Sequence, residues 1–252
     1  MNPMMKLLAR NRGKGLFRAE APQNNEATVY LYDIIVDSDE EAEWLGGVSP
    51  GAFARTLSAI HAPVIHLRVN SPGGSVFGGR AIEQALREHP AHVIAHIDGL
   101  AASAASSVIM GANERVIAPG AFLMIHRAWT LALGNAEDML HVAGLLDQID
   151  GSLAKTYARI TGMDVDTLTE MMSAETWIEA DDTVQMGFVD RVAEDPAPRN
   201  RAGWDLSAYA HPPEITEPEP DEQDDDSEAR RRAAMVAIAT PVEPIQQQTS
   251  PA

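Results

Sequence analysis

The sequence predicts a mixed α/β fold, because short apolar runs alternate with stretches of helical periodicity between about residues 27 and 191. Continuous apolar runs are typical of strands that are buried on both faces of a sheet. A chain of 252 residues with an apolar share of 45% is long enough for one medium-sized core with tails. We therefore expect one α/β domain over residues 27–192, preceded by a basic arm (1–26) and followed by an acidic tail (193–252).

The positions of the apolar runs and of the helical periodicity predict the individual elements. Strands are predicted at Thr28–Val36, Pro63–Val69, His92–Ile97, Arg115–Ala118 and Phe122–His126. Helices are predicted at Pro50–Ile60, Val76–Glu88, Ala101–Met110, Ala136–Ile160, Val165–Met172 and Ala180–Met186. The longest helix carries one apolar face, with Asn135 as its N-cap and Gly162 after its end. We expect it to pack against its own sheet or against another subunit.

The tail differs in composition from the rest of the chain. It is rich in proline and glutamine, and it carries an acidic run at residues 221–226. Such a segment cannot bury enough apolar surface to offset the entropy of the chain, so we expect a disordered, solvated linker. Within it, Ser227–Ala239 has the composition of a short helix and is a candidate docking or scaffold element.

Composition excludes several classes of function. The formal net charge of −18 would repel a phosphate backbone, so nucleic acid is not an expected partner. The absence of cysteine excludes thiolate nucleophiles and thiolate metal sites, and the histidines lack metal-ligand spacing, so we expect no metal and no other cofactor. No run approaches the roughly 20 apolar residues of a membrane span, and the basic start lacks the apolar core of a secretory signal. We expect a cytoplasmic protein without a membrane partner.

The first motif that suits chemistry is Asn70–Ser75 (NSPGGS), which follows a predicted buried strand and precedes a helix. Two glycines behind a proline allow a sharp turn whose backbone N–H groups are not covered by side chains. That arrangement suits an oxyanion hole or an extended peptide held along its backbone. An ordinary strand-to-helix turn explains the same residues equally well.

The second motif is Asp98–Ser107 (DGLAASAASS), again at a junction between a strand and a helix. Ser103 would lie in the first turn of that helix, where free N–H groups and the helix dipole stabilise developing negative charge. Ser103 is therefore a candidate nucleophile. The alternative is a helix face of small residues that allows close packing of backbones.

A nucleophilic serine needs a base and an acid, and candidates for both follow along the chain. His126 ends the apolar run FLMIH, and histidine is the usual base because its pKa lies near neutrality, although a structural histidine is the alternative. Glu175, between two predicted helices, has the chemistry to orient the imidazole. Other carboxylates compete for that role: Asp164, Asp166, Glu170 and Asp181. These residues by themselves favour a serine hydrolase.

Taken together in this order, the four segments resemble the proteolytic subunit of Clp protease over about residues 27–191. The family's Gly-x-Ala-Ala-Ser segment matches Gly99–Ser103, and its Met-Ile-His segment matches Met124–His126. The family's aspartate falls on Glu175, so the acid departs from the family pattern. The resemblance implies a ClpP/crotonase-like fold, a spiral of repeated β-β-α units with the long helix as a protruding handle.

The resemblance also implies roles for individual residues. Ser103 would be the nucleophile, His126 the general base and Glu175 the acid of the triad. The backbone N–H groups of Gly74 and Ala104 would form the oxyanion hole. No cofactor is implied.

Three stretches of the sequence are closer to the Clp-like head maturation proteases of tailed bacteriophages: the run from Asp98, the Arg-Ala-Trp after His126, and Glu175-Thr-Trp. That resemblance implies a serine endopeptidase that cleaves capsid or scaffold protein, with the chain itself as a further candidate substrate, in the host cytoplasm or within the procapsid. The implied partners are protein substrates and further copies of the chain in a ring, and the need for an unfoldase ATPase is left open. The rivals are a crotonase-like acyl-CoA enzyme, which would not need Ser103, and a non-proteolytic assembly or scaffold protein.

Overall fold

The structure is a computed structural model that describes residues 3–194 and 203–213. In this part of the chain, eight strands form one sheet. The strands are β1 (Leu16–Gln23), β2 (Glu26–Tyr32), β3 (Val64–Ser71), β4 (His92–Ala102), β5 (Glu114–Ile117), β6 (Phe122–Ile125), β7 (Thr176–Glu179) and β8 (Arg191–Val192). The helices are α1 (Pro3–Asn11), α2 (Asp39–Leu45), α3 (Pro50–Ser58), α4 (Val76–Glu88), α5 (Ala104–Val108), α6 (Ala136–Thr161), α7 (Val165–Ser173) and α8 (Ala180–Gln185). The predicted α/β class is confirmed. Across the described ranges, no helix combines the length and the apolar character needed to cross a membrane.

The main sheet has the order β1-β2-β3-β4-β5-β8. Strand β1 pairs antiparallel with β2, and the remaining neighbours are parallel. Parallel sheets are normally covered on both faces, which is why the apolar runs of their strands are nearly continuous. The central strands here carry many fully buried side chains: Val29, Leu31, Ile65, Leu67, Val69, Val93 and Ile97.

Strand β4 positions the candidate site because it changes partner along its length. Its residues 94–97 pair with β5, whereas residues 100–102 pair in parallel with β6. Strand β6 in turn pairs antiparallel with β7. The end of β4, the end of β6 and the start of β7 therefore meet in one place.

The long helix α6 has the caps that the sequence predicts. Asn135 accepts hydrogen bonds from the backbone N–H groups of Glu137 and Asp138, and the Asp138 side chain accepts from the Asn135 N–H. Gly162 ends the helix with a left-handed φ of 73°, which glycine adopts without steric cost.

One helix is shorter than predicted, and three strands, β1, β7 and β8, were not predicted. Ala101–Met110 was expected to be a single helix, but β4 continues through Ala102 and α5 covers only Ala104–Val108. Pairing with β6 outweighs the high helix propensity of the alanines. Strand β7 is only four residues long and has no clear alternation, so its pattern did not distinguish it from a loop.

Parts of the expected arm and tail belong to the folded structure. Strand β1 is an edge of the sheet, and Leu7 and Leu8 of α1 are buried. Residues 203–213, which we call the 203–213 segment, pack against the domain with Leu206 and Tyr209 only 6% and 5% exposed. A solvated linker would not bury such side chains, so this stretch departs from the expectation. The acidic run and Ser227–Ala239 lie outside the described residues.

Candidate active site

Strand register brings Ser103 and His126 together. Ala102 of β4 lies opposite Met124 of β6, so the residues that directly follow the two strands are neighbours. The Ser103 N–H donates to the Met124 carbonyl oxygen at 2.9 Å and extends this pairing by one residue. Ser103 Oγ lies 2.7 Å from His126 Nε2, which is hydrogen-bond distance. With the imidazole proton on Nδ1, the serine hydroxyl donates to Nε2.

Ser103 has a strained backbone, with φ 54° and ψ −124°. Non-glycine residues rarely adopt such angles, which cost on the order of 1–3 kcal/mol and persist only where the surroundings hold them. Here the Ser103 carbonyl accepts hydrogen bonds from the Ser106 N–H at 3.0 Å and from Ser106 Oγ at 2.6 Å. Ser103 thus lies on a sharp, strained turn between β4 and α5. Nucleophilic serines of other hydrolases lie on strand-to-helix turns of this kind, which expose the side-chain oxygen.

The chain after His126 is anchored by helix α6. The buried Asp150 carboxylate accepts from Arg127 Nε at 2.7 Å and from the Ala128 N–H at 2.7 Å. The Arg127 N–H also donates to the Met172 carbonyl oxygen of α7 at 3.1 Å. These bonds fix the backbone just beyond the imidazole. Asp150 was not predicted as a site residue, because in the sequence it is only one carboxylate next to the apolar face of α6.

The environment of His126 keeps its imidazole neutral. Burial lowers the pKa of His126 to about 4, and the attraction of Glu175 and Asp150 opposes that effect without overcoming it. A neutral imidazole is the form that can accept a proton from a serine hydroxyl.

The glycine loop lies directly against the candidate nucleophile. Gly73 has φ +91°, and a Cβ at that position would lie 2.6 Å from the Ala102 carbonyl oxygen and 2.7 Å from Ser103 Cβ. The same Cβ would lie 3.0 Å from the Ala104 N atom. Only glycine allows this approach. The loop therefore lies against Ala104, one of the two predicted oxyanion donors. Gly74, the other predicted donor, lines the same groove as Ser103 and His126.

Gly74 is held by the chain that follows β2. It forms a bridge with Ile35, whose carbonyl oxygen accepts from the Ser75 N–H at 2.8 Å. A Cβ on Gly74, which has φ +137°, would lie 2.0 Å from that carbonyl oxygen. The first N–H groups of a helix have no acceptor within the helix, which applies to Ala104 at the start of α5.

A mainly apolar groove opens beside the pair and contains both Ser103 and His126 in its wall. Most of its remaining lining comes from the start of α4, from the chain after β6 and from α6, and includes Val76, Phe77, Trp129, Val142, Leu146 and Ile149. Met4 of α1, Asp37 and the glycine loop complete it. Pockets of this kind, with few polar groups, suit an apolar side chain of a bound peptide.

Glu175 lies near His126 but does not hydrogen-bond to it. Among the described residues, its carboxylate accepts from Trp177 Nε1 at 3.3 Å, from the Ala210 N–H at 2.9 Å and from the His211 N–H at 2.7 Å. Glu175 also has a left-handed backbone, with φ 51°. Glu175, the predicted acid, is thus close enough to influence His126, but its carboxylate is hydrogen-bonded to the 203–213 segment.

Tyr209 is a site neighbour that sequence analysis missed. Its ring centroid lies 5.5 Å from that of His126, 5.2 Å from Trp129 and 5.6 Å from Trp177. Its hydroxyl donates to the Pro72 carbonyl oxygen of the glycine loop. Burial raises the pKa of Tyr209. The composition of the tail around Tyr209 did not predict its packing against His126.

Two other carboxylates that the sequence brought into consideration, Asp98 and Asp164, have structural roles. Asp98, in the Ser103 motif, accepts from the buried Tyr32 and from the half-buried Arg68 and is itself buried. Asp164 caps helix α7. Within the described residues, no group of three or more histidines and carboxylates could hold a metal ion.

Comparison with known proteins identifies relatives of the chain. A family model described as Clp protease matches residues 56–196. The ATP-dependent Clp protease proteolytic subunit of Pleurastrum terricola is 33% identical over 127 residues, which is 50% of this chain and 65% of that protein. The ATP-dependent Clp protease proteolytic subunit 2 of Corynebacterium diphtheriae is 31% identical over 132 residues, 52% of this chain and 66% of that protein.

The matched region spans just under two thirds of the length of these two relatives. The family model covers residues 56–196, more than half of the 252 residues, and this range contains Ser103, His126 and Glu175. The central sheet with its surrounding helices agrees with the fold that the resemblance implied. The chain belongs to the Clp protease family and has its α/β fold.

Proposed function

We propose that this protein is a serine endopeptidase in which Ser103 is the nucleophile. The observation that carries the proposal is the 2.7 Å contact between Ser103 Oγ and His126 Nε2 beside a groove able to hold a peptide side chain. A serine hydroxyl is a weak nucleophile unless an adjacent base removes its proton. A crotonase-like enzyme would have no use for this contact.

In the first step, Ser103 Oγ attacks the carbonyl carbon of the scissile peptide bond while its proton moves to His126 Nε2. The C=O bond becomes a C–O⁻ bond, and the N–H groups of Gly74 and Ala104 donate to that oxygen. The tight fit of Gly73 against Ser103 and the Ala104 N atom, and the shared groove of Gly74 and Ser103, support this role.

In the second step, the C–N bond breaks and the proton on His126 Nε2 passes to the departing amine. The acyl group stays on Ser103 as an ester. Water then attacks the ester with His126 again as base, which releases the carboxylic acid and restores the hydroxyl. Glu175 is the proposed acid that stabilises the charged imidazole during both steps, since it is the strongest charged influence on His126.

The finer proposal is that the substrates are capsid or scaffold proteins of a tailed phage and that the protein acts in the host cytoplasm or within a procapsid. It is supported by the sequence around Ser103, by the Arg-Ala-Trp after His126 and by Glu175-Thr-Trp. We further propose that copies of the chain assemble into a ring. The N-terminal half of α6 supports this, because its large apolar side chains Met139, Leu140 and Leu145 are exposed in the isolated chain.

The experiment that tests the proposal compares the wild type with Ser103→Ala by intact mass, alone and after co-expression with the phage's major capsid protein. We expect truncated products of the capsid protein, or of the chain itself, with the wild type only. A folded Ser103→Ala variant that still produces them would overturn the serine mechanism. Cleavage of a general peptide library without cleavage of the capsid protein would retain the peptidase and reject the maturation role.

A further inference from the structure

The 203–213 segment is fastened to the folded domain at several points. Asn11, which is fully buried, donates from Nδ2 to the Asp205 carbonyl oxygen at 2.9 Å and accepts from the Asp205 N–H at 2.7 Å. Trp204 Nε1 donates to Asn70 Oδ1 at 3.2 Å, next to the glycine loop. Leu206 and Tyr209 are buried in an apolar cluster that includes Leu7, Leu100 and Met124. The segment is therefore docked by specific polar bonds as well as by apolar contact.

Tyr209 places the segment at the catalytic pair itself. Its ring meets the His126 imidazole nearly edge-on, at an interplanar angle of 87°, and stacks on Trp129. Its hydroxyl donates to the Pro72 carbonyl oxygen, in the loop whose Gly73 lies against Ser103. A substrate peptide that crosses Ser103 needs space on both sides of the nucleophile. The apolar groove offers such space, and its described lining contains no residue of the 203–213 segment. Tyr209 lies outside that lining and packs between the His126 imidazole and the glycine loop, the two elements that touch Ser103.

The same segment occupies the carboxylate of Glu175. Two of its three hydrogen bonds come from consecutive backbone N–H groups, those of Ala210 and His211. Bonds from N–H groups to a carboxylate are charge-assisted and therefore strong. While they persist, the carboxylate is not bonded to His126, so the nucleophile and the base are in contact while the acid is engaged elsewhere.

We infer that the 203–213 segment is an autoinhibitory strap that closes the proteolytic site in cis. Tyr209 blocks one side of Ser103, and the N–H groups of Ala210 and His211 hold Glu175 away from His126. Release of the strap frees the path for substrate and lets the Glu175 carboxylate turn to the imidazole. The inference rests on the proposed serine endopeptidase function and adds its regulation.

The inference is tested in the full chain with Tyr209→Ala. Two rates are measured: hydrolysis of an internally quenched peptide library and labelling of the protein by a fluorophosphonate. We expect peptide hydrolysis to rise at least about tenfold, because the variant loses both the buried ring and its hydrogen bond. Labelling should rise by a smaller factor, since the small probe needs no space on the Tyr209 side. Trp44→Ala, which truncates an aromatic side chain that is 79% exposed on α2, is the matched control and should leave both rates unchanged.

A second variant, Asn11→Ala, loosens the strap at its far end without touching the site. It should raise peptide hydrolysis several-fold, whereas Arg12→Ala at the exposed neighbouring residue should not. Circular dichroism establishes that each variant is folded. Folded Tyr209→Ala and Asn11→Ala proteins that label at Ser103 but hydrolyse peptides no faster than the wild type would overturn the strap and leave the peptidase intact. Failure of every variant and of the wild type to label would overturn the proposed function and the strap with it.

Discussion

The two sides of His126 are built in different ways. On the Ser103 side, the pairing of β4 with β6 and the close approach of Gly73 fix the nucleophile through the backbone. On the Glu175 side, the position of the carboxylate is set by hydrogen bonds from a segment about 35 residues further along the chain. Hydrogen bonds between strands in the middle of a sheet break only when the whole domain unfolds, whereas a docked segment can detach while the domain stays folded. We therefore infer that the proposed nucleophile is held permanently, whereas the position of the proposed acid can change when the segment leaves.

The largest effect on the serine side is expected for Gly73→Ala. The new Cβ would lie within 2.7 Å of the Ala102 carbonyl oxygen and Ser103 Cβ, so the loop or the nucleophile must move. Displacement of reacting groups by about 1 Å can cost roughly 100-fold in rate, and we expect a loss of at least that size. The measurement is the rate of fluorophosphonate labelling in a folded variant.

Gly120→Ala is the control for backbone strain. Gly120 also has a positive φ, +72°, but no atom lies within 4 Å of the position of its Cβ. It should cost about 1 kcal/mol in stability and leave labelling nearly unchanged. Equal losses in the two variants would mean that the contact between Gly73 and Ser103 has no special importance.

On the acid side, Glu175→Gln should lower kcat for peptide hydrolysis by about 100-fold or more when it is made in the Tyr209→Ala protein. A neutral amide cannot stabilise the imidazolium that forms during the reaction. Glu179→Gln, at an exposed glutamate on the same strand β7, should leave kcat unchanged. Near-normal turnover of the Glu175→Gln protein would move the role to Asp150, the other carboxylate that acts on His126.

The smallest predicted effect is a change in pH dependence between the closed and the open site. Burial lowers the pKa of His126 to about 4 in the closed site, so the base stays neutral and the labelling rate of the wild type should be flat from pH 8 down to about 5. In Tyr209→Ala, water reaches the imidazole and Glu175 can pair with it, and both changes raise its pKa.

The base of the open site therefore becomes protonated at a higher pH, and labelling of Tyr209→Ala should decline already as the pH falls through about 6.5. The labelling rates of both proteins are measured from pH 5 to pH 8. Identical profiles would contradict the claim that Tyr209 shields His126.

Local sequence patterns predicted much of the fold and part of the site. Helix α4 has the predicted bounds, Val76–Glu88, because its periodicity and its serine N-cap are local features. Ser103 was predicted in the first turn of a helix at a strand-to-helix junction and His126 at the end of a strand. In the structure the two residues directly follow β4 and β6, and strand register makes them neighbours. Signals contained in a few consecutive residues were sufficient in these cases.

The features that the sequence did not predict depend on distant residues. The end of β4 is a strand despite its alanines, because β6 pairs with it. Tyr209 is buried in a stretch whose composition indicates a linker, and its partner Pro72 lies 137 positions away along the chain. The bonding of Glu175 to the same stretch could not be derived from a motif. Composition averages over a window and cannot reveal a few specific long-range contacts.

The most direct test of the central claim is to locate the fluorophosphonate adduct by peptide mass mapping in the wild type and in the Tyr209→Ala protein. The motif offers neighbouring serines, Ser106 and Ser107, that are fully buried and bonded to carbonyl oxygens of the same turn. The account predicts a single adduct on Ser103 in both proteins, formed faster in Tyr209→Ala. An adduct on another serine, or no adduct in either folded protein, would contradict it.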